Sequence, residues 1–156
     1  MKYFRPLLFG LCFLTSTLVF AQKIKSTDVP QLVQEASKSA GVPSTSVSWE
    51  IEEGLYQAEY DLNGIETTKI FSNAGQFLAS ETEIKVSALP AAILKFSAVE
   101  WQGKKITQAS KIEWTNGSIQ YEIEIEGHEY ILDENGMLLN KDASQDSDGD
   151  EEYIDN

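Results

Sequence analysis

The chain has 156 residues, with 25 acidic and 12 basic side chains and a formal net charge of −13. A field this negative repels nucleic acid and anionic membranes, so basic proteins, cations and neutral surfaces remain as compatible partners. The length suits one compact domain or two small ones, and it excludes a peptide that depends on disulfides or metals to fold.

The first 21 residues have the pattern of an export signal. Residues 1–5 include Lys2 and Arg5, and residues 6–21 are an uncharged, mostly apolar run that ends in Ala21. Such a run is shorter than the roughly 20 apolar residues that a membrane span needs, so we expect a cleavable signal peptide over residues 1–21 rather than an uncleaved anchor. The protein is therefore predicted to be periplasmic or secreted, with no stable membrane anchor after cleavage.

Cys12 is the single cysteine of the chain, and it lies in the middle of this signal. A lipoprotein would need its cysteine at the end of the apolar run, so we expect no lipid anchor. Cleavage removes Cys12 together with Lys2 and Arg5, which shifts the net charge from −13 to −15. The mature chain can form neither a disulfide nor a thiolate metal site, and its stability must come from packing.

Two segments predict helices. The first has Thr27 or Asp28 as its cap and Pro30 in its first turn, and it stops at Gly41. Its apolar residues recur with helical spacing at Leu32, Val33, Ala36 and Ala40. The second follows Ser87 and Pro90, extends toward Gly103, and has an apolar stripe of Ala92, Ile93, Phe96 and Val99.

The strands are predicted from alternation. Apolar residues alternate with polar ones along residues 56–62 and 119–126, as in an antiparallel sheet with one solvated face. Short glycine turns, such as Asn63-Gly64 and Asn135-Gly136, make consecutive strands hairpin neighbours.

The chain also repeats itself. Residues 54–66 align with residues 117–129 with both glycines in register, and Pro30 corresponds to Pro90. We therefore predict an α+β protein of two tandem units, residues 22–84 and 85–141, each a helix followed by a four-stranded antiparallel sheet. Residues 142–156 contain no basic residue and predict an acidic, disordered tail.

The order of these motifs resembles the PepSY-like family, also described as β-lactamase-inhibitor-like. The resemblance lies in a pattern that occurs twice: a proline at a helix start, a tryptophan-containing strand, a strand between two glycines, and a closing Asn-x-Gly turn. These are Val29-Pro30, residues 47–49, 56–64 and 73–78, then Leu89-Pro90, residues 112–114, 119–127 and 135–139. The resemblance implies an exported protein of Bacteroidetes type, with a fold similar to that of β-lactamase inhibitory protein and no established catalytic residues.

Candidate catalytic residues are few. His128 is the one histidine, and it follows the Gly127 turn, where a solvated hairpin histidine is the simpler interpretation. A glycosidase-like pair drawn from Glu50, Glu59, Glu113 and Glu122 is less favoured than a solvated strand face. No phosphate loop, histidine metal motif or dinucleotide fingerprint is present. We therefore expect neither an enzyme nor a cofactor.

Candidate binding residues are Trp101, Lys104 and Lys105, where a partly exposed ring beside two cations could anchor a protein partner. Asp146, Asp148 and Asp150 are weak calcium candidates, because the spacing of an EF-hand loop is not met. The leading hypothesis is an exported non-catalytic binding module, an inhibitor or accessory factor of an extracytoplasmic protein. The alternative is an envelope protein that responds to cations or small ligands through its acidic strands and tail.

Overall fold

The computed structural model describes residues 22–141. The predicted signal peptide, including Cys12, and the acidic segment 142–156, including Asp146, Asp148 and Asp150, lie outside the described residues. Within residues 22–141, no helix combines the length and the apolar content needed to traverse a lipid bilayer.

The described residues form two α-helices and nine strands. The helices are α1 (Gln31–Ser39) and α2 (Ala91–Glu100). The strands are β1 (Gln22–Ile24), β2 (Ser48–Glu52), β3 (Leu55–Asp61), β4 (Glu66–Phe71), β5 (Phe77–Glu83), β6 (Ile106–Trp114), β7 (Ile119–Ile125), β8 (His128–Asp133) and β9 (Leu138–Lys141). Short 3₁₀ turns at Ser26–Asp28 and Val86–Ala88 precede the helices.

All nine strands belong to one antiparallel sheet, in which each strand pairs with its neighbours in the chain. This confirms an α+β protein with a helix-covered antiparallel sheet. Helix α1 precedes β2 to β5 and α2 precedes β6 to β9, while β1 adds an edge strand. Strands β5 and β6 also pair, from Ala79 opposite Trp114 to Glu83 opposite Ser110, so the sheet continues without a break.

The start of each helix differs from the prediction. Pro30 and Pro90 are the N-cap residues themselves, and neither helix has a side-chain cap, so the predicted caps Thr27 and Asp28 are wrong. Those residues belong to a separate turn, in which the Asp28 amide donates to the Lys25 carbonyl at 2.9 Å. Proline fixes its own φ and disfavours helix for the residue before it, and this places the helix boundary.

Each helix covers its own apolar core on the same side of the sheet. Under α1 the buried residues are Val29, Val33, Val42, Trp49, Ala58, Tyr60 and Phe71. Under α2 they are Leu89, Ile93, Ala109, Ile123, Ile125, Tyr130 and Leu132. The inward side chains of β3 and β7 are those that the alternation predicts. At roughly 1.5–3 kcal/mol for each large apolar side chain, these two cores provide most of the stability of a chain without disulfides.

Candidate binding surface

The sheet surface opposite the helices is not covered by any described element, and we call it the open face. Its residues follow from strand alternation and register. One row runs from Glu50 through Gln57, Ile70 and Ala79 to Trp114. The next row comprises Ser48, Glu59, Thr68, Glu81, Ile112, Gln120 and Asp133.

The centre of the open face is apolar. Ile70, Ala79 and Ile112 are buried there, and Leu55 and Trp114 pack against them half-buried. The indole Nε1 of Trp114 donates a hydrogen bond to Gln120 Oε1 at 2.9 Å, which fixes the ring on this surface. The centre spans β3 to β6, so it lies where the two helix-covered parts of the sheet meet.

Carboxylates surround this apolar centre. Strand alternation places on the open face the side chains of Glu50, Glu52, Glu59, Asp61, Glu66, Glu81, Glu83, Glu122, Glu124, Glu129 and Asp133. At the β1 edge of the sheet, Lys23 Nζ lies 3.6 Å from Glu50 Oε1. Because 81% of the Lys23 side chain is exposed, this ion pair offsets little of the negative charge. The open face is therefore apolar in the middle and strongly negative around it.

Glu81 is the carboxylate nearest to the middle, opposite Thr68 on one side and Ile112 on the other. Burial raises its pKa, and the nearby carboxylates of Glu129, Glu66 and Glu52 raise it further, while a hydrogen bond with Ser110 opposes the shift. The pKa of Glu66 is also raised, first by burial and then by Glu59 and Glu83. Both shifts mean that burial and the neighbouring carboxylates disfavour the ionised forms of Glu81 and Glu66.

The structure separates the four glutamates that the sequence offered as an acid/base pair. Glu50, Glu59 and Glu122 lie on the open face, as expected for a solvated strand face. Glu113 points to the other side of the sheet, where its Oε1 pairs with Lys111 Nζ at 2.8 Å. A general acid and base must act on one substrate from a shared site, and Glu113 cannot share one with the other three.

His128 differs from the solvated hairpin residue that the sequence favoured. It is half-buried in β8, its ring lies 6.5 Å from that of Tyr130, and its Nδ1 is buried without a hydrogen-bond partner among the described residues. It belongs to the helix side of the sheet, away from the carboxylates of the open face. Among the described residues, the Nδ1 of His128 therefore contacts no nucleophile that it could activate.

Trp101, Lys104 and Lys105 lie at the end of α2, away from the open face. Trp101 is half-buried, because its ring packs against Tyr130 at 4.4 Å and edge-on against Phe96 at 5.5 Å between centroids. Lys104 forms an ion pair with Glu126 at 2.7 Å, and both lysines are exposed. Trp101 is thus part of the second core more than a free anchor.

Metal binding finds no support in the part of the chain that the structure describes: among these residues, no group of three or more His, Cys, Asp or Glu side chains could hold a metal ion. A shallow depression of about 220 Å³ lies beside the open face, lined by Ser46, Ser48, Glu59, Tyr60, Asp61 and Glu66.

Sequence reasoning missed the apolar centre and Glu81. The signal was present in β5, where Ala79, Glu81 and Glu83 alternate as the open-face residues. What the sequence does not show is that β5 pairs with β6. That pairing places Glu81 in the middle of a nine-stranded sheet instead of at its edge.

Three solved structures from Bacteroides species are similar to the chain. A proposed periplasmic protein from Bacteroides eggerthii has a TM-score of 0.61 at 17% identity, covering 72% of this chain and 87% of that one. A DUF2874 family protein from Bacteroides ovatus has a TM-score of 0.58 at 18% identity, covering 81% and 97%. A BLIP-like protein from Bacteroides fragilis has a TM-score of 0.54 at 25% identity, covering 77% and 90%.

No protein-family profile matches the sequence, and a search of curated proteins found no match. The similarity to the BLIP-like structure supports the expected relation to the fold of β-lactamase inhibitory protein. A shared fold does not carry a shared function, so the function has to be argued from the surface.

Proposed function

We propose that the protein is an exported, non-catalytic binding module whose open face engages a protein partner with a basic surface. The observation that carries this proposal is the apolar centre of the open face, where the half-buried Leu55 and Trp114 pack against Ile70, Ala79 and Ile112 and carboxylates surround them. An apolar middle with a polar surround is the usual anatomy of a protein interface. Lysine and arginine side chains of a partner would meet the carboxylates and favour fast, oriented encounter.

The finer assignments rest on the sequence and are supported by the fold. The predicted signal peptide and the neighbour from B. eggerthii, described as periplasmic, favour an extracytoplasmic location. The order of one helix followed by four strands, which occurs twice, supports the interpretation as two PepSY-like units. An inhibitor or accessory factor of an extracytoplasmic protein is the role that fits a surface able to bind another protein.

Site-directed photo-crosslinking tests which surface binds. A photoreactive amino acid at Thr68, on the open face, should capture a discrete envelope protein from an extract of the native host. The same group at Lys38, exposed on α1, should not capture that protein. Capture at Lys38 alone would contradict the proposal, since it would place the partner on the helix side.

Charge reversal tests the chemistry of the interface with matched variants. Glu66→Lys with Glu83→Lys alters two exposed positions of the open face, and Glu35→Lys with Glu100→Lys alters two exposed helix positions by the same total charge. Only the first pair should weaken the Thr68 cross-link, roughly tenfold or more for two interfacial charges. Equal weakening by both pairs would indicate attraction by net charge alone, and the open face would then not be the binding site.

A further inference from the structure

A second surface, on the helix side and separate from the open face, has the composition of a ligand site. It is a groove of about 330 Å³ between α2 and the strands β6 and β7, lined by Val86, Leu94, Ser97, Ala98, Lys104, Lys105, Ile106 and Ile125. Small-molecule sites are typically mostly apolar with a few polar groups. This groove has apolar walls, one hydroxyl group and two ammonium groups.

The apolar wall is accessible because α2 carries apolar residues on more than its core-facing side. Ile93 is fully buried, yet Leu94 is 37% exposed and Val99 is 64% exposed on the same helix. A helix that only covers a sheet would present polar residues to solvent. Leu94 and Ala98 therefore offer an alkyl chain a surface that water now covers.

Ser97 is the polar group inside the groove. It is 7% exposed, and its Oγ is buried with no hydrogen-bond partner among the described residues. A buried hydroxyl group without a partner is destabilising, so such groups are rare and call for an explanation.

Ser37 provides the comparison within the chain. It follows Pro30 at the same distance at which Ser97 follows Pro90, and it is 5% exposed. Its Oγ donates a hydrogen bond to the Gln34 carbonyl at 2.9 Å. The helical position alone therefore does not force a serine hydroxyl to remain unpaired.

The lysines set the charge of the ligand. Lys105 is exposed at the groove, and Lys104 beside it is held by Glu126 at 2.7 Å. In a protein with a net charge of −13, two adjacent lysines at an apolar groove form an unusual cationic spot. An anionic ligand would be guided here and repelled from the open face.

We propose that this groove binds a small amphipathic carboxylate. Its alkyl or aryl part would cover the wall formed by Leu94, Ala98 and Ile106. Its carboxylate would accept a hydrogen bond from the Ser97 hydroxyl and balance the charge of Lys105. The inference does not depend on the function proposed for the open face, because the two surfaces lie on opposite sides of the sheet.

Octanoate is the probe, and the mature chain, residues 22–156, is the protein. Titration followed by amide chemical shifts should show saturable changes at residues that line the groove. Octylamine has the same chain with the opposite charge and should not saturate, and acetate has the charge without the chain and should not saturate either. Failure of octanoate to saturate at millimolar concentration, or equal binding of octylamine, overturns the proposal.

The serine pair separates a ligand contact from a structural effect. Ser97→Ala should weaken octanoate binding roughly tenfold, the usual effect of a hydrogen bond to a charged group, without lowering the stability of the free protein. Ser37→Ala should leave octanoate affinity unchanged while lowering stability. Lys105→Gln, an exposed change that spares the fold, should also weaken binding severalfold. Equal octanoate affinity in the wild type and both the Ser97 and Lys105 variants would refute the site.

The acidic segment 142–156 is the competing occupant. It follows β9, in which Lys141 pairs with Tyr130 of β8. The Tyr130 ring packs against Trp101, which follows α2 and precedes Lys104 and Lys105 in the chain. If octanoate changes the resonances of residues 142–156 as strongly as those of the groove, the segment itself occupies the site, and the small-carboxylate proposal is wrong.

Discussion

Single carboxyl groups of the open face are held where ionisation is disfavoured, and Glu81 shows this most clearly. Its pKa is raised first by burial and then by Glu129, Glu66 and Glu52. A carboxyl group whose pKa is higher in the folded state than in the unfolded chain binds its proton more tightly when folded. Ionised Glu81 therefore destabilises the free protein. The stability that protonated Glu81 contributes is lost as the pH rises through its folded pKa.

Glu81→Gln is expected to raise the free energy of unfolding at pH 7, because the amide keeps an acceptor for Ser110 and removes the charge. The gain should shrink as the pH falls and disappear below the ordinary glutamate pKa of about 4.3, where both states of the wild type are protonated. Urea unfolding between pH 4 and 8 measures it. Glu83→Gln, an exposed change on the same strand and face, is the control and should give a smaller gain. A loss of stability at pH 7 in Glu81→Gln would contradict the account.

For single residues, the sequence predicts which face of the sheet a side chain lies on, but not how deeply that side chain is buried. Alternation correctly places Gln57 and Glu59 opposite Ala58 and Tyr60. It predicts the same exposure for Glu59, Glu81 and Glu122, because alternation does not distinguish a carboxylate at the edge of a sheet from one in its centre. The burial of Glu81 depends on residues of β6, more than 25 positions along the chain.

At the scale of elements, the turns that close hairpins also support the helices. Gly75, in the turn between β4 and β5, lies so close to α1 that an added Cβ would be 2.6 Å from the Leu32 carbonyl oxygen. Gly136, between β8 and β9, has the same relation to Ala92 of α2, at 2.9 Å. Each helix is thus packed against a turn backbone as well as against strand side chains.

Gly75→Ala should be much more destabilising than Gly64→Ala. Both glycines have positive φ, +78° and +82°, so each substitution carries a backbone cost of roughly 1–2 kcal/mol. A Cβ at position 64 meets nothing within 4 Å, whereas at position 75 it must displace the α1 backbone, which adds roughly 1–3 kcal/mol. Urea midpoints of the two variants give the difference. Equal losses of stability in the two variants would show that the α1 backbone shifts at little cost and that the turn does not position the helix.

Helices and hairpins were predictable because periodicity, proline and glycine act locally. The errors are also local in origin. The sequence suggested caps at Thr27 and Asp28, since those residue types usually cap helices, but Pro30 sets the boundary and leaves them in a separate turn. The turn-to-helix contact of Gly75 was not predictable, because it joins residues that no local pattern links.

At the scale of the whole molecule, the continuity of the sheet is the feature that sequence reasoning could not reach. The alternation predicts the order of the helices and strands, but it does not predict whether β2 to β5 and β6 to β9 form separate sheets or one sheet. The pairing of β5 with β6, and the apolar centre that brings Ile112 against Ile70 and Ala79, join them. The open face is a product of this junction, so the binding surface proposed for it depends on both parts of the sheet.

A joined sheet should unfold as one cooperative unit. Ile123 is fully buried and belongs to the second core, so Ile123→Ala should cost about 2–5 kcal/mol there. Fluorine-19 NMR of the protein with all three tryptophans kept and labelled as 5-fluorotryptophan reports separately on Trp49 in the first core and Trp101 in the second core. If the junction couples the cores, Ile123→Ala lowers the urea midpoints of both signals equally, because neither core survives alone. A fall at Trp101 with no change at Trp49 would mean that the cores unfold independently, and the open face would then be a flexible seam instead of a preformed surface.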